Sequence, residues 1–472
     1  MSSPKTRFYA FLLFMSCVFL MGGGSRSDIQ SLMILRPLSL VFIAYASIVT
    51  RPEIWSGRLA PLYFLAALTA IVILQLIPLP PSVWGNLPHR EIYLEIASLA
   101  GIEQPWRPLT LSPSKTWNSL WSLTIPLAAV LLYLNLEPKN RSKAIISLII
   151  LAAVSALVAV FQIAGSSRGP LYLYRITNFG TPVGLFANRN HQAVMLACLV
   201  LMLGWYAGTK SHRSNLASLK VNGAIALAVL LVPLIIITGS RAGLVLMFPA
   251  LFMVGIYVLF GKYYSRKSET NFSLGTYTWN ISVRNVILMV VAALFSFVIG
   301  LTLLLSRSLA FDRLFGKDII SDMRGQVSST LESMAQGYFP FGSGFGSFEH
   351  VFKQFETYEL LRPTYLNQAH NDWLQFVIEG GLPAILLLIA LLIWLVKRSV
   401  FVIRLGVWTS AGKASIMSLG SLSFCAAASI VDYPLRVPTL MAFAAVMLSF
   451  FADNSRENSP VRGNRTTPVE PS

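Results

Sequence analysis

The sequence predicts an all-α, polytopic integral membrane protein with about twelve transmembrane helices and a large hydrophilic loop between the ninth and tenth. Three observations carry this prediction. Of 472 residues, 55% are hydrophobic and only 12% charged, against about 25% charged in a soluble protein. Mean hydropathy is +0.63. The apolar residues also fall in long runs, as a hydrocarbon core of about 30 Å requires roughly 20 residues of helix. Such a chain cannot cover a globular surface with polar groups, so most of its surface faces lipid. The same numbers exclude disorder, a collagen-like chain and nucleic acid as a partner, although a net charge of +17 would suggest nucleic acid in a soluble protein.

The apolar runs centre on residues 8–21, 32–48, 59–79, 119–136, 144–163, 191–208, 222–238, 242–261, 285–306, 374–396, 414–431 and 437–452. The first follows Lys5 and Arg7 and runs into Gly22-Gly23-Gly24-Ser25. No Ala-x-Ala pattern follows it, so it reads as a helix and not as a signal peptide. Residues 80–118, rich in Pro and Trp, read as a loop with a short surface helix. Residues 307–371 form the longest hydrophilic insertion, with room for helices of its own. Loops this long are usually functional. Residues 1–452 thus form one bundle that includes both loops, and 453–472 form a polar, disordered tail. Cys17, Cys198 and Cys425 all lie in apolar runs and read as packing residues, not as a disulfide framework.

Orientation follows from the basic residues. With the N-terminus in the cytoplasm, 21 of the 37 Lys and Arg fall on the inner side, and every inner connection is short and basic. Both termini are then cytoplasmic, and 80–118 and 307–371 lie outside.

Topology gathers the remaining polar motifs on the outer face. Phe186-Ala187-Asn188-Arg189-Asn190-His191 precedes the sixth helix, and Gly239-Ser240-Arg241-Ala242-Gly243 is the tight turn between the seventh and eighth. The long loop carries Arg324, the run Pro340-Phe341-Gly342-Ser343-Gly344-Phe345-Gly346 and then His370-Asn371-Asp372, while Asp432 and Arg436 precede the last helix. Arg241 is either an arginine snorkelling to headgroups or a fixed guanidinium whose planar fork suits a phosphate. Arg324, in a hydrophilic loop, is by itself an ordinary solvated arginine. Arg36, near the end of the second run, is a weak intramembrane candidate.

His370 begins the tenth helix, where Asn371 or Asp372 can cap it. A lone histidine there is usually structural, yet neutral imidazole, with an ordinary pKa of about 6.5, can accept a proton at neutral pH. Glu379 lies nine residues on, about 900° of rotation, and so on the opposite side of a straight helix. Gly380-Gly381 and Pro383 offer a place to kink it. No Asp-x-Asp pair, no metal-ligand spacing of His or Cys and no phosphate-cradling Gly-x-x-x-x-Gly-Lys is present. The Gly342-x-Gly344-x-Gly346 run reads as a flexible turn, since a nucleotide fingerprint needs a strand before it and a helix after.

The stretch His370-Asn371-Asp372-Trp373-Leu374-Gln375-Phe376-Val377-Ile378-Glu379-Gly380-Gly381 resembles the signature of the O-antigen ligase and polymerase superfamily. Phe186-x-Asn188-x-Asn190, Ser240-Arg241-x-Gly243, Arg324 and the Pro-x-Gly-x-Gly-x-Gly run occur in that family's order, across roughly residues 120–450. The resemblance implies a GT-C-like membrane glycosyltransferase of the bacterial inner membrane. It would transfer or polymerise an undecaprenyl-diphosphate-linked glycan at the periplasmic face, in O-antigen or exopolysaccharide synthesis. It also implies roles: Arg241 and Arg324 bind the diphosphate, His370 is general base, and Arg189, Asn188, Asn190, Asn371 and Asp432 line the pocket. Neither metal nor cofactor is expected. The implied partners are the lipid-linked donor, a glycan or lipid A–core acceptor and the bilayer, with chain-length regulator and flippase proteins as further candidates. Nothing in the sequence selects among a lipid A–core, a growing glycan and a protein hydroxyl as acceptor. A lipid-linked oligosaccharide flippase or other secondary transporter is the alternative, but it would not need a long outer loop ending in a histidine.

The topology makes the first prediction. Single cysteines at Ser329 and Ser268 should label from opposite sides of the membrane, Ser329 from the periplasm and Ser268 from the cytoplasm. Labelling of both from one side would overturn it.

Overall fold

The structure is a computed structural model and describes residues 3–50, 58–209, 214–267, 319–361 and 366–455. Its helices are α1 (Pro4–Met21), α2 (Leu32–Ile48), α3 (Ala60–Leu74), α4 (Pro81–Trp84), α5 (Glu91–Leu99), α6 (Pro113–Ser122), α7 (Thr124–Leu134), α8 (Pro138–Ala164), α9 (Arg189–Gly208), α10 (Ser214–Ile237), α11 (Arg241–Lys267), α12 (Ile319–Gly337), α13 (Phe348–Phe355), α14 (Asp372–Leu405), α15 (Ser410–Ala428) and α16 (Pro438–Asn454). Among the described residues, six helical stretches are long and apolar enough to cross a membrane: α1, α6 with α7, α8, α9, Leu219–Ile237 of α10, and Asp372–Arg404 of α14. Four shorter apolar helices join them, and α15 covers most of the run at 414–431. The expected helix at 285–306 lies outside the described residues, as does the tail from 456.

Hydrogen bonds sort the connections into two ends. At one end, the backbone N–H of Ala187 donates to Gly23 O, Thr439 N–H to Gly22 O and Asp372 N–H to Ser429 O. At the other end, Asp453 accepts from Tyr133 Oη at 2.8 Å and pairs with Arg58 and Arg141. There too, Lys413 Nζ donates to Gly208 O. Arg58, Arg141 and Lys413 therefore share the end opposite His370.

Helix α9 runs through the centre, with 89% of its spanning window buried. It is apolar nearly all round, as a helix surrounded by others must be. Its polar start needs partners instead. Ser155 Oγ of α8 donates to Gln192 Oε1 and accepts from Leu185 N–H, while Gln162 Oε1 accepts from the N–H groups of Val183 and Gly184. The loop that delivers residues 186–191 is thus pinned to α8 before α9 begins.

Helix α14 is two helices joined at a kink, where Gly381 has φ 59° and ψ −149°. The cause is local. Pro383 has no N–H for the carbonyl of Glu379, so that oxygen accepts from Gly344 N–H and from Gln75 Nε2. Ile378 O likewise accepts from Ser343 N–H, and Leu382 N–H turns to Pro340 O. The Pro340–Gly346 run therefore plugs the kink, and the expectation of a flexible turn there is corrected. All three of its glycines have positive φ, and a Cβ on Gly342 would stand 2.5 Å from Glu379 O.

The 80–118 segment holds more structure than one surface helix. It contains α4, α5, an antiparallel pairing of Pro78–Leu79 with Arg107–Pro108, and the first turns of α6. Arg90 fixes it against the second loop, lying 5.1 Å from the Trp84 ring and 5.8 Å from the Tyr338 ring, with burial lowering its guanidinium to about 10.

A side chain at Gly344 would meet Thr110 and demand φ +103° of a residue with a Cβ. Such backbone strain costs about 1–3 kcal/mol. Gly344→Ala should therefore lower the Tm of the purified protein clearly, while Gly223→Ala, where a Cβ meets open space, should leave it unchanged. Equal melting of both variants would show that the run is not clamped.

Candidate functional site

At the end of the bundle that carries His370, three chain segments meet on one carboxylate. The first is the start of α9. Asn188 caps it, its Oδ1 accepting from Asn190 N–H at 2.9 Å, and this leaves the next side chains facing the neighbouring turns. Arg189 donates from Nη1 to the carbonyls of Thr238 and Gly239, at 3.3 and 3.1 Å, and so holds the turn before α11. Asn190 donates from Nδ2 to Asp432 Oδ2 at 2.7 Å.

The second segment is the start of α14. Asn371 caps it, its Oδ1 accepting from Leu374 N–H at 3.0 Å. His370, one residue earlier, is held at φ 52°, a left-handed conformation that histidine adopts rarely and mostly under constraint. Its Nδ1 stands 3.4 Å from Asp432 Oδ1, and its side chain keeps 21% of its surface exposed. The third segment is the turn between α15 and α16. Asp432 is buried there, and its Oδ1 accepts from Tyr433 N–H at 3.0 Å. The Tyr433 ring meets the His370 ring edge-on at 4.8 Å.

Burial alone would push the Asp432 carboxyl up. Contact with His370, the charge of the His191 and His370 imidazoles and the Asn190 hydrogen bond outweigh it, holding the group well below the usual carboxylate range. Asp432 is therefore ionised wherever an imidazole titrates.

A second network lies one helical turn away. Arg436 donates from Nε to Asp372 Oδ1 at 2.9 Å and from Nη2 to Glu379 Oε2 at 3.1 Å. Glu379 also accepts from Gln375 Nε2. Burial opposes the guanidinium charge of Arg436, but the two carboxylates more than offset it and raise its pKa. Glu379 thus serves Arg436 and not His370, as the helical rotation predicts. Asp372, Arg436 and Glu379 border a cavity of about 560 Å³. Lys115 and Asn118 also line it, as do leucines such as Leu68, Leu391 and Leu448.

The structure brings His370 and Asn190 together on Asp432, with Asn188 and Asn371 as the caps of the helices that carry them, while the neighbouring Arg189 is turned to the Thr238 and Gly239 carbonyls. Arg241 is the exposed first residue of α11, directly after the turn that Arg189 holds. Arg324 falls on α12, and its side chain lies outside the described residues. Arg36, the weak candidate, donates to Asn118 Oδ1 at 2.7 Å and to Ser122 Oγ at 3.1 Å, tying α2 to α6. Among the described residues no group of three or more His, Cys, Asp or Glu could hold a metal ion. Sequence reasoning missed the roles of Arg436, Glu379, Tyr433 and His191. The available signal was ionisable residues set in otherwise apolar stretches, which mark function by default.

Residues 226–389 match the family model for the O-antigen ligase. That match spans Arg241, α12 and the helix start at His370. A search of curated proteins returned no match. The motif order read from the sequence and the helical membrane architecture agree with this domain match, which supports the O-antigen ligase and polymerase family for the chain.

Proposed function

We propose that the protein transfers or polymerises a glycan from undecaprenyl diphosphate at the periplasmic face of the inner membrane, as a metal-independent glycosyltransferase. One observation carries the reading. A partly exposed histidine stands with its Nδ1 3.4 Å from an oxygen of a buried, ionised aspartate. A proton on the Nδ1 that faces this carboxylate leaves Nε2 to accept one. In the reaction Nε2 of His370 takes the proton of the acceptor hydroxyl. The hydroxyl oxygen bonds to the anomeric carbon, whose bond to the diphosphate oxygen breaks, and the diphosphate leaves with its negative charge.

Cations must meet that charge. Arg241 and Arg324 are assigned to it, and Arg189 carries a further positive charge at the same turn. The cavity beside Asp372 suits the other parts of a lipid-linked substrate. Its polar lining has no excess positive charge, since Arg436 faces two carboxylates and Lys115 pairs with Glu349 at 3.4 Å, which favours hydroxyls over a diphosphate. Its leucine-lined part suits a hydrocarbon chain. Residues 1–452 would act as one unit, with both long loops over the site. The choice between glycan and lipid A–core as acceptor belongs to the genetic setting. An exopolysaccharide cluster with chain-length control genes favours polymerisation, and a lipid A–core cluster favours ligation.

In vitro transfer from a purified undecaprenyl-diphosphate donor tests these roles. His370→Ala and His370→Gln should both lose most transfer, on the order of 10²–10⁴-fold, because an amide keeps a hydrogen bond but cannot take the proton. Donor binding should survive in both. Near-normal turnover in His370→Gln would sink the general-base role.

The arginines make a separate prediction. Arg241→Lys and Arg324→Lys should insert normally yet lose much of their activity, since lysine brings a point charge without the fork. Full activity in both would reduce them to topology signals.

A further inference from the structure

The site contains a second histidine that the transfer reaction does not use. His191, in the first turn of α9, is 1% exposed and stands with Nε2 3.8 Å from Asp432 Oδ1. His370 approaches that same oxygen with Nδ1 at 3.4 Å. The two imidazoles flank one tyrosine ring, with His191 5.2 Å and His370 4.8 Å from the centroid of Tyr433. Neither ring nitrogen of His191 has a hydrogen-bond partner among the described residues, nor has Nδ1 of His370, so both imidazoles approach the shared oxygen without closing a hydrogen bond to it. A buried polar group left so costs about 1–3 kcal/mol, and the only carboxylate oxygen beside it is the one His370 also needs.

We propose that His191 is a positioning residue for His370: it turns an N–H toward the shared Asp432 oxygen and so sets how firmly that carboxylate holds the imidazolium of His370. The geometry favours this over a packing role, because packing alone would be met by an apolar ring against Tyr433 and would not aim Nε2 at Oδ1. The other groups facing His370 are accounted for. Asp432 and Tyr433 come from the α15–α16 turn, and Asn190 from α9 holds the second oxygen of Asp432. Asp372, on the helix that follows His370, is paired to Arg436. Arg189 is turned to the carbonyls of Thr238 and Gly239. The Asp432 charge is thus the one left to divide, and two histidines divide it.

The sign follows directly. Removing the N–H of His191 leaves the carboxylate to His370 alone, which stabilises the imidazolium and makes His370 protonate at higher pH. The inference rests on the general-base reading for its catalytic meaning, but its test does not use activity. The full-length protein in lipid nanodiscs is treated with diethyl pyrocarbonate across pH, and modification of His370, which requires the neutral ring, is followed by peptide mass spectrometry.

His191→Gln keeps an N–H at a similar reach and should give the wild-type midpoint. His191→Leu should raise the midpoint by about half a pH unit, roughly threefold in proton affinity. Should the leucine chain fail to accumulate, His191→Asn serves instead, since its shorter amide cannot reach Oδ1. An unchanged midpoint in the Leu or Asn variant, or an equal shift in Gln and Leu, would overturn the proposal. Failure of the general-base reading would show separately, as transfer retained in His370→Gln while the midpoint shift still occurs.

Discussion

One buried carboxylate organises this site. Asp432 draws together the start of α9 through Asn190, the approach to α14 through His370, and its own turn through the Tyr433 backbone. An isolated ionised carboxylate is very costly to bury, and it stays ionised only where donors and positive charge surround it. That requirement dictates the arrangement of its neighbours. Segments more than 200 residues apart in sequence must present an amide, an imidazole and a backbone N–H to the same two oxygens. The caps at Asn188 and Asn371 and the pinning of the 165–188 loop by Gln162 follow as means of holding those donors in place.

A parallel constraint shapes the cavity side. The kink in α14 frees the carbonyls of Ile378 and Glu379, and in a membrane protein such groups must be satisfied internally. The Pro340–Gly346 run does this, and only glycine tolerates the backbone it needs. The kink also leaves Glu379 buried, where Arg436 meets it together with Asp372. Loop, kink and ion-pair network thus form one unit, which fixes α14 relative to α16 and hence His370 relative to Asp432.

The bundle was legible in the sequence because hydrophobic runs report burial in lipid directly, and the apolar helices among the described residues fall on such runs, whereas the helices of the two long loops do not. The helix start at Asn371 and the separation of Glu379 from His370 were legible too, from capping chemistry and from rotation per residue. The glycine run was misread as flexible. Its partners are the backbone carbonyls of a helix that begins some 30 residues later, and no local signal encodes that docking. The pairing of Arg436 with Glu379 was hidden for a related reason: each is a single charge in an apolar segment, and periodicity says nothing about which distant charge will meet it. His191 looked like the end of a loop motif, and its meaning appears only when Asp432 is seen beside it.

These networks also decide which substitutions can inform on chemistry. Removing one partner of a buried ion pair costs about 3–5 kcal/mol, because the other is left charged and unpaired. Loss of Arg436, Glu379 or Asp372 would therefore abolish activity through the fold whether or not any of them touches substrate. The same holds for truncation of Asp432, which orphans Asn190 and releases His370 at once. Alanine variants in such a network report membership of the network and nothing finer. Informative changes keep the hydrogen bond while removing the proton acceptor, as at His370, keep the charge while removing the fork, as at the arginines, or keep the reach while exchanging the ring, as at His191. Because the site is built from shared partners, chemistry can be separated from architecture only by replacements that leave each shared partner satisfied.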